Sequence, residues 1–343
     1  MNRANLPSFW TILAPLTVAA SGMATYALIA LLRPLLVRVA LVRPNARSSH
    51  TMPTPQGGGI AVVLSTIVLA GAVASFAATG EHTHELALVL GAAALLTIIG
   101  VMDDVWSMPP APRLLVQILA VLVVVAAVPA ELRIVPPLPW WVERAFVVIA
   151  GVWFVNIVNF MDGIDWMTVV EVMPISVGLV VVGAFGALPT HAIVVALALG
   201  GAVLGFAPFN RPVARLFLGD AGSLPIGILL GWLLLLLAGS GHVAAALLLP
   251  LYYLADATIT VLQRWRRGET LFQAHRSHFY QRATAGGFRV LEVVARVFAV
   301  NFGLVGLAVM TVVLPGTTSA VAAFVCGAAL VGWLLVGFAR GKR

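Results

Sequence analysis

Long apolar runs, repeated along the whole chain, constrain this sequence more than any other feature. Eleven stretches read as spans: 8–32, 57–79, 84–102, 113–130, 142–158, 167–187, 190–208, 223–240, 243–262, 290–314 and 317–339. A bilayer-crossing helix needs about 20 apolar residues, and backbone that meets no water must pair with itself. The expected fold is therefore an all-α polytopic membrane protein of about eleven transmembrane helices. Hydrophobic residues make up 61% of the 343 positions and charged residues 10%, against about 25% charged in soluble domains. That balance excludes a soluble globular enzyme and a disordered chain. A single cysteine, Cys326, excludes an intrachain disulfide. The first run is too long for a cleavable signal and lacks a basic segment before it. The weakest run is 142–158, with Glu143 and Arg144 near its start and Asn156 and Asn159 near its end. No repeat or soluble insert interrupts the pattern, so residues 1–343 read as one integral membrane domain.

The basic residues assign the faces. Of 20 arginines and lysines, 16 fall in or directly beside the loops 33–56, 103–112, 159–166, 209–222 and 263–289 and the tail 340–343. Only Arg3, Arg133 and Arg144 fall on the other side, and Arg296 lies within a run. By the positive-inside rule the N-terminus is outside and the C-terminus cytoplasmic. The net charge of +7 is thus a topology signal, and no nucleic-acid partner is expected.

All six aspartates sit towards the cytoplasmic face: Asp103, Asp104, Asp162, Asp165 and Asp220 at helix ends, and Asp256 about two turns above one. Glu81, Glu85, Glu131 and Glu143 lie on the other face and read as solvated rim charges. Carboxylates near a bilayer are costly and mark function by default. Adjacent Asp103 and Asp104 repel unless a cation stands beside them. Asn156, Asn159, Asp162 and Asp165 recur every third residue and share one helical face if the helix continues, although Gly163 is placed to end it. Gly219 and Gly222 bracket Asp220 and permit close backbone approach. The glycines at 57–59 offer either free amides for an anion or a helix-packing surface. His275, Arg276, Ser277 and His278, with Arg264, Arg266, Arg267 and Arg282 nearby, read as an anion clamp rather than a zinc site, since no second ligand pair accompanies them. Carboxylates with a divalent cation and surrounding arginines suit phosphoryl transfer, and a site at the membrane implies a lipid substrate.

These loops, in this order, resemble the polyprenyl-phosphate N-acetylhexosamine-1-phosphate transferases, of glycosyltransferase family 4 type. The residues carrying the likeness are His50 with Pro53-Thr54-Pro55 and Gly57-Gly58; Asp103-Asp104 with Arg113 and Gln117; and Asn156 and Asn159 with Asp162-Gly163-Ile164-Asp165. Further along are Phe209-Asn210, Phe217-Leu218-Gly219-Asp220 with Gly222-Ser223, Asp256, and the loop from Ala274 to Arg282. The motif core covers 47–282, and its last loop looks most like the bacterial branch that initiates O-antigen and related surface glycans. The resemblance implies a single reaction. N-acetylhexosamine 1-phosphate passes from a UDP-N-acetylhexosamine to undecaprenyl phosphate, releasing UMP, in the bacterial inner (cytoplasmic) membrane. It implies Mg2+ (or Mn2+) as cofactor, membrane lipid as a partner, and a homodimer as one oligomeric form.

It also implies roles. Asp220 would bind the metal. Asp103 and Asp104 would be the catalytic acidic pair, with His278 or His275 at the diphosphate. Asn159, Asp162, Asp165, Asn210 and Phe217 would line the nucleotide and sugar side. His50, Arg113, Arg276 and Arg282 would meet phosphate. The chain departs from the family pattern at Trp166, where glycine is frequent, at Gln56, where arginine is common, and after His278, where Phe279-Tyr280-Gln281 stands in place of further histidines. The rival readings are a phospho-N-acetylmuramoyl-pentapeptide-type transferase and, from another class, a secondary transporter. The latter needs midplane polar groups and paired repeats that the sequence lacks.

Overall fold

The computed structural model describes residues 9–42, 52–77, 82–270 and 275–342. They form a helical bundle whose helices follow the apolar runs. In chain order these are α1 (Phe9–Val39, its first turn π-helical), α2 (Gly58–Ala77), α3 (Thr83–Trp106), α4 (Pro110–Ala127), α5 (Trp140–Met161) and α6 (Met167–Ala184). There follow α7 (Thr190–Asn210), α8 (Asp220–Gly239), α9 (Val243–Leu248), α10 (Leu251–Arg266), α11 (Phe279–Ala285), α12 (Val290–Val313) and α13 (Thr317–Arg340). Two short antiparallel strands, β1 (Leu41–Val42) and β2 (Thr54–Pro55), pair between α1 and α2.

The chain is a polytopic membrane protein. Among the described residues nine helices are long and apolar enough to cross a bilayer: α1, α3 to α8, α12 and α13. The run at 57–79 is α2, shorter in its apolar part. The run expected as one span at 243–262 is instead broken into α9 and α10. Pro250 explains the break, because it supplies no amide to the ladder and its ring clashes with the preceding turn. Beyond it α10 is amphipathic, with Asp256, Arg264 and Arg266 on an otherwise apolar helix. The weakest run proved a continuous helix, α5. Its entrance charges are absorbed locally: Glu143 accepts from Arg133 Nε (2.9 Å) and the Ile134 amide (2.8 Å). Arg144 donates to the carbonyls of Val125, Pro129 and Leu132. Glu85 and Glu143, expected as solvated rim charges, are in fact buried, at 5% and 4% exposure.

Helix α8 is the centre of the bundle. It packs against α2, α3, α4, α5, α7 and α9 and is almost wholly buried. Its first turn approaches α2 so closely that a Cβ on Gly59 would land on the backbone of Gly222. The glycine segment is therefore a packing surface. The amides of Gly58 and Gly59 are spent on the carbonyls of Phe217 and Leu218, at 2.9 Å each, which removes the anion-site alternative.

Two glycine-to-alanine changes should move stability in opposite directions. Gly59→Ala is expected to destabilise by about 1–3 kcal/mol through overpacking. Gly91→Ala, in the middle of α3 with open space where its Cβ would stand, should stabilise by up to about 1 kcal/mol from helix propensity. Thermal unfolding of the detergent-purified variants checks both signs.

Candidate active site

The ends of α3, α5 and α7 and the starts of α4 and α8 converge on one membrane face. Asp104, near the end of α3, accepts the amides of Asp220 (3.0 Å) and Ala221 (3.3 Å) and so caps α8 from a neighbouring helix. Gly219, just before that turn, has φ +75°, and a Cβ there would strike the Asp104 carboxylate. Gln56 holds the same segment from β2's side by donating to the Asp104 carbonyl at 2.8 Å. Asp103 accepts the Met108 amide and Arg113 Nη1, both at 2.6 Å. Arg113 Nη1 also donates to Asp220 Oδ2 at 2.9 Å, and Asn159 Nδ2 donates to Asp220 Oδ1 at 2.7 Å. One guanidinium thus stands among three carboxyl groups, a formal excess of two negative charges when all three are ionised. All donors are hard oxygens, a set that fits a divalent cation such as Mg2+.

The polar series that runs through and past the end of α5 does not form one helical face. The helix ends at Met161, and its members turn to different partners. Asn156 bonds Gln117 (2.7 Å), whereas Asn159 turns to Asp220 and Ser223. Asp162 accepts from the Thr168 hydroxyl. Asp165 accepts the Ala214 amide at 2.9 Å. Burial pushes Asp162 up to about 8, helped by the charges of Asp220 and Asp104, and burial also raises Asp165. Asn210 is buried and works as a brace: its Oδ1 accepts the Trp166 amide (2.8 Å) and its Nδ2 donates to the Leu216 carbonyl (3.0 Å). Trp166 itself has φ +64°, a left-handed conformation that favours glycine. Its indole offsets this by donating to the Ala207 carbonyl at 2.7 Å. Phe217 is half-buried, and its backbone joins the Pro55 carbonyl and the Gly58 amide.

The histidine loop is organised from below by Asp256, which is fully buried. One oxygen accepts the Phe279 amide (2.9 Å) and faces His278 Nδ1 (3.3 Å), while the other meets the Tyr280 amide and the Tyr252 hydroxyl, each at 3.2 Å. His278 is buried, with the His275 ring centroid 4.9 Å away and the Phe160 ring on its flank. Tyr280 donates to the Phe160 carbonyl at 3.0 Å and so docks this loop onto the end of α5. Both histidines therefore stand together. The arginines are less uniform. Arg264 is committed to Glu269 (2.9 Å) and the Thr270 carbonyl (2.7 Å), Arg282 lies over the Phe279 ring, and Arg276 is exposed. A polar cavity of about 190 Å3 opens beside them, lined by Thr260, Gln263, Arg264, Arg267, Ser277 and Arg282. His50 lies outside the described residues.

Sequence reasoning missed Glu171, buried on α6 and bonded by Asn301 Nδ2 at 2.6 Å. A lone acid within an apolar run was its only signal. Also unforeseen is an apolar cavity of about 290 Å3 between α4, α5, α8 and α9, with Val121, Phe154, Gly227, Trp232 and Leu247 among its walls.

The pH dependence of stability should carry the signature of His275. Burial, with the charges of His278 and Arg264, lowers it to about 4. The unfolded chain takes up this proton near 6.5, so the unfolded state binds more protons between those values. Stability from this group is complete above pH 6.5 and falls as pH drops towards 4. His275→Gln should flatten that part of a plot of Tm against pH.

A family model described as Glycosyl transferase family 4 matches residues 86–238, the stretch from early α3 to the end of α8. The chain is 27% identical over 292 residues to the decaprenyl-phosphate N-acetylglucosaminephosphotransferase of Mycobacterium leprae (strain TN), covering 76% of this chain and 73% of that protein. It is 27% identical over 300 residues to the undecaprenyl-phosphate alpha-N-acetylglucosaminyl 1-phosphate transferase of Yersinia pestis, covering 80% and 79%. To the phospho-N-acetylmuramoyl-pentapeptide-transferase of Limosilactobacillus fermentum (strain NBRC 3956 / LMG 18251) it is 29% identical over 234 residues, covering 64% and 72%. The family match is centred on the helices that build this site, and relatives with related names run along most of its length, so the chain is similar to glycosyl transferase family 4.

Proposed function

We propose that this protein transfers N-acetylhexosamine 1-phosphate from a UDP-N-acetylhexosamine to undecaprenyl phosphate, releasing UMP. The reaction would run on the cytoplasmic face of the bacterial inner membrane and start a surface glycan such as O-antigen. The observation that carries this reading is the cluster of Asp103, Asp104 and Asp220 around Arg113, with its unbalanced negative charge at converging helix ends. The names of the relatives support a polyprenyl-phosphate acceptor, and the apolar cavity offers a greasy chain a place within the bundle.

The chemistry asks little of a base. The acceptor phosphate has its second pKa near 6, so at neutral pH it is mostly a dianion. One of its oxygens attacks the sugar-bearing phosphorus of the donor. A new P–O bond forms, the diphosphate P–O bond breaks, and UMP leaves with the electron pair. The difficulty is bringing two polyanions together. Mg2+, or Mn2+, held by Asp220 with Asp103 or Asp104 beside it, would supply that charge neutralisation. Arg113 orients the two carboxylates and presents its remaining donors to phosphate. His278, fixed by Asp256, and neutral His275 are set to donate to the diphosphate, with Arg276 and Arg282 close by. Asn159, Asp162, Asp165 and Phe217 line the nucleotide and sugar side, while Asn210 shapes it as a brace. The eleven-crossing topology, N-terminus outside, counts α2 as a crossing and α9 with α10 as a broken one. It is supported by the basic residues gathered at the aspartate-bearing ends.

Purified protein with undecaprenyl phosphate, Mg2+ and a panel of UDP-sugars should release UMP with a UDP-N-acetylhexosamine. UMP from UDP-N-acetylmuramoyl-pentapeptide alone would favour the other branch, and none from any donor would sink the reading. Asp220→Asn should lower kcat about 10²- to 10³-fold. Asp103→Asn should lower kcat while leaving the shape of the pH–rate profile from 6 to 9 unchanged; loss of its rising limb would instead assign Asp103 the role of a general base.

A further inference from the structure

A second polar cluster lies at the opposite end of α3. Glu85 and Asp103 are 18 residues apart on that helix, about 27 Å at 1.5 Å per residue. Around Glu85 stand His82, just before α3, and His191, in the first turn of α7. One ligand atom from each of the three side chains lies within 4.8 Å of the others. His82 Nδ1 is 3.4 Å from Glu85 Oε2, and His191 Nε2 is 4.0 Å from the same oxygen. The two imidazoles stack with centroids 4.5 Å apart. Trp232 of α8, itself buried, donates its indole N–H to Glu85 Oε1 at 2.9 Å.

Glu85 and His191 are each only 5% exposed. Yet His191 Nε2 is buried with no hydrogen-bond partner. Among the described residues no lysine or arginine pairs with Glu85. Glu85 Oε2 and His191 Nε2, both withdrawn from water, therefore stand 4.0 Å apart, and the imidazole nitrogen has no hydrogen-bond partner. Buried polar atoms normally find partners, so this arrangement calls for a cation. Zinc bonds of about 2.0–2.2 Å in a tetrahedron place ligand atoms about 3.3–3.6 Å apart. One contact already meets this spacing; for the other, at 4.0 Å, the two imidazoles must turn out of their stack so that both nitrogens point at one cation. The indole bond to Glu85 supplies the outer support that metal-binding carboxylates usually have.

We propose that His82, Glu85 and His191 bind a transition-metal cation, Zn2+ by preference, on the membrane face opposite the aspartates, with water completing the coordination. Imidazole with carboxylate suits Zn2+ rather than the hard cation fitted by the aspartate cluster. The metal would tie α3 to α7 and, through Trp232, to α8. Those are the helices that deliver Asp103 and Asp104, Asn210 and Asp220 at their other ends.

The test uses the tag-free full chain in detergent, stripped with EDTA. It is titrated with Co2+ followed by Zn2+, reading visible Co2+ absorption and the metal retained per chain after gel filtration. About one Zn2+ per chain should be retained, displace Co2+, and persist in Asp220→Asn. Affinity should fall about tenfold or more in His82→Ala, Glu85→Gln and His191→Gln. His82 is partly exposed and at a helix margin, so His82→Ala remains informative if the buried variants fail to fold. No retained Zn2+, unchanged affinity in His82→Ala, or loss of the metal in Asp220→Asn would each overturn the site.

Discussion

The first turn of α8 is capped by a carboxylate from another helix, and the geometry of the site follows from that contact. Asp104 takes the amides of Asp220 and Ala221, which are orphan donors in any helix start. The positive end of the α8 dipole then faces a full negative charge. Because Asp220 opens the helix, its own side chain is fixed beside Asp104, and the two carboxylates repel. Arg113 stands against that repulsion from α4, with one nitrogen shared between Asp103 and Asp220. The bundle therefore holds its acids together by rigid backbone contacts and a single guanidinium. Such an arrangement is poised to accept a further cation.

Around this centre the polar residues divide into those that face the cleft and those that build it. Asn210 ties the turn at Trp166 to the irregular segment at Leu216, and Asp165 ties the same turn to Ala214. Deleting the Asn210 side chain would loosen the segment that carries Phe217 and Gly219. Asp256 has the same relation to His278 across the histidine loop. Buried side chains whose partners are mostly backbone groups set the positions of their neighbours.

The spans were legible because their composition leaves no other fold, and the aspartates because charge is scarce enough for each one to be noticed. The readings that failed were those needing knowledge of a neighbour. Glu85 and Glu143 looked like rim charges because sequence records a helix end but not what packs over it, here Trp232 and the 133–135 turn. The glycines at 58 and 59 could free their amides or bury them, and the approach of Gly222 and the carbonyls of Phe217 and Leu218 decided it. The regular spacing of Asn156, Asn159, Asp162 and Asp165 would make a single face only if the helix continued past Gly163, and the helix ends at Met161, as that glycine indicated. Trp166 was visible only as a departure from the family pattern. Its left-handed backbone shows that the position keeps the conformation glycine would adopt, now held by an indole hydrogen bond.

The break at Pro250 shows how one residue decides whether the histidine loop can be built. An unbroken helix across 243–262 would carry Asp256 into an apolar span as an isolated charge, an arrangement that lipid disfavours strongly. With the chain interrupted, α10 becomes a separate amphipathic helix, turned so that Asp256 is enclosed by protein. There the amides at the start of α11 and the hydroxyls of Tyr252 and Thr260 replace the water it has lost. Burying the acid is tolerable because these partners, two from its own helix and two from the start of α11, satisfy both of its oxygens. The fold of the loop and the solvation of the aspartate are thus one requirement, and His278 takes its position from it.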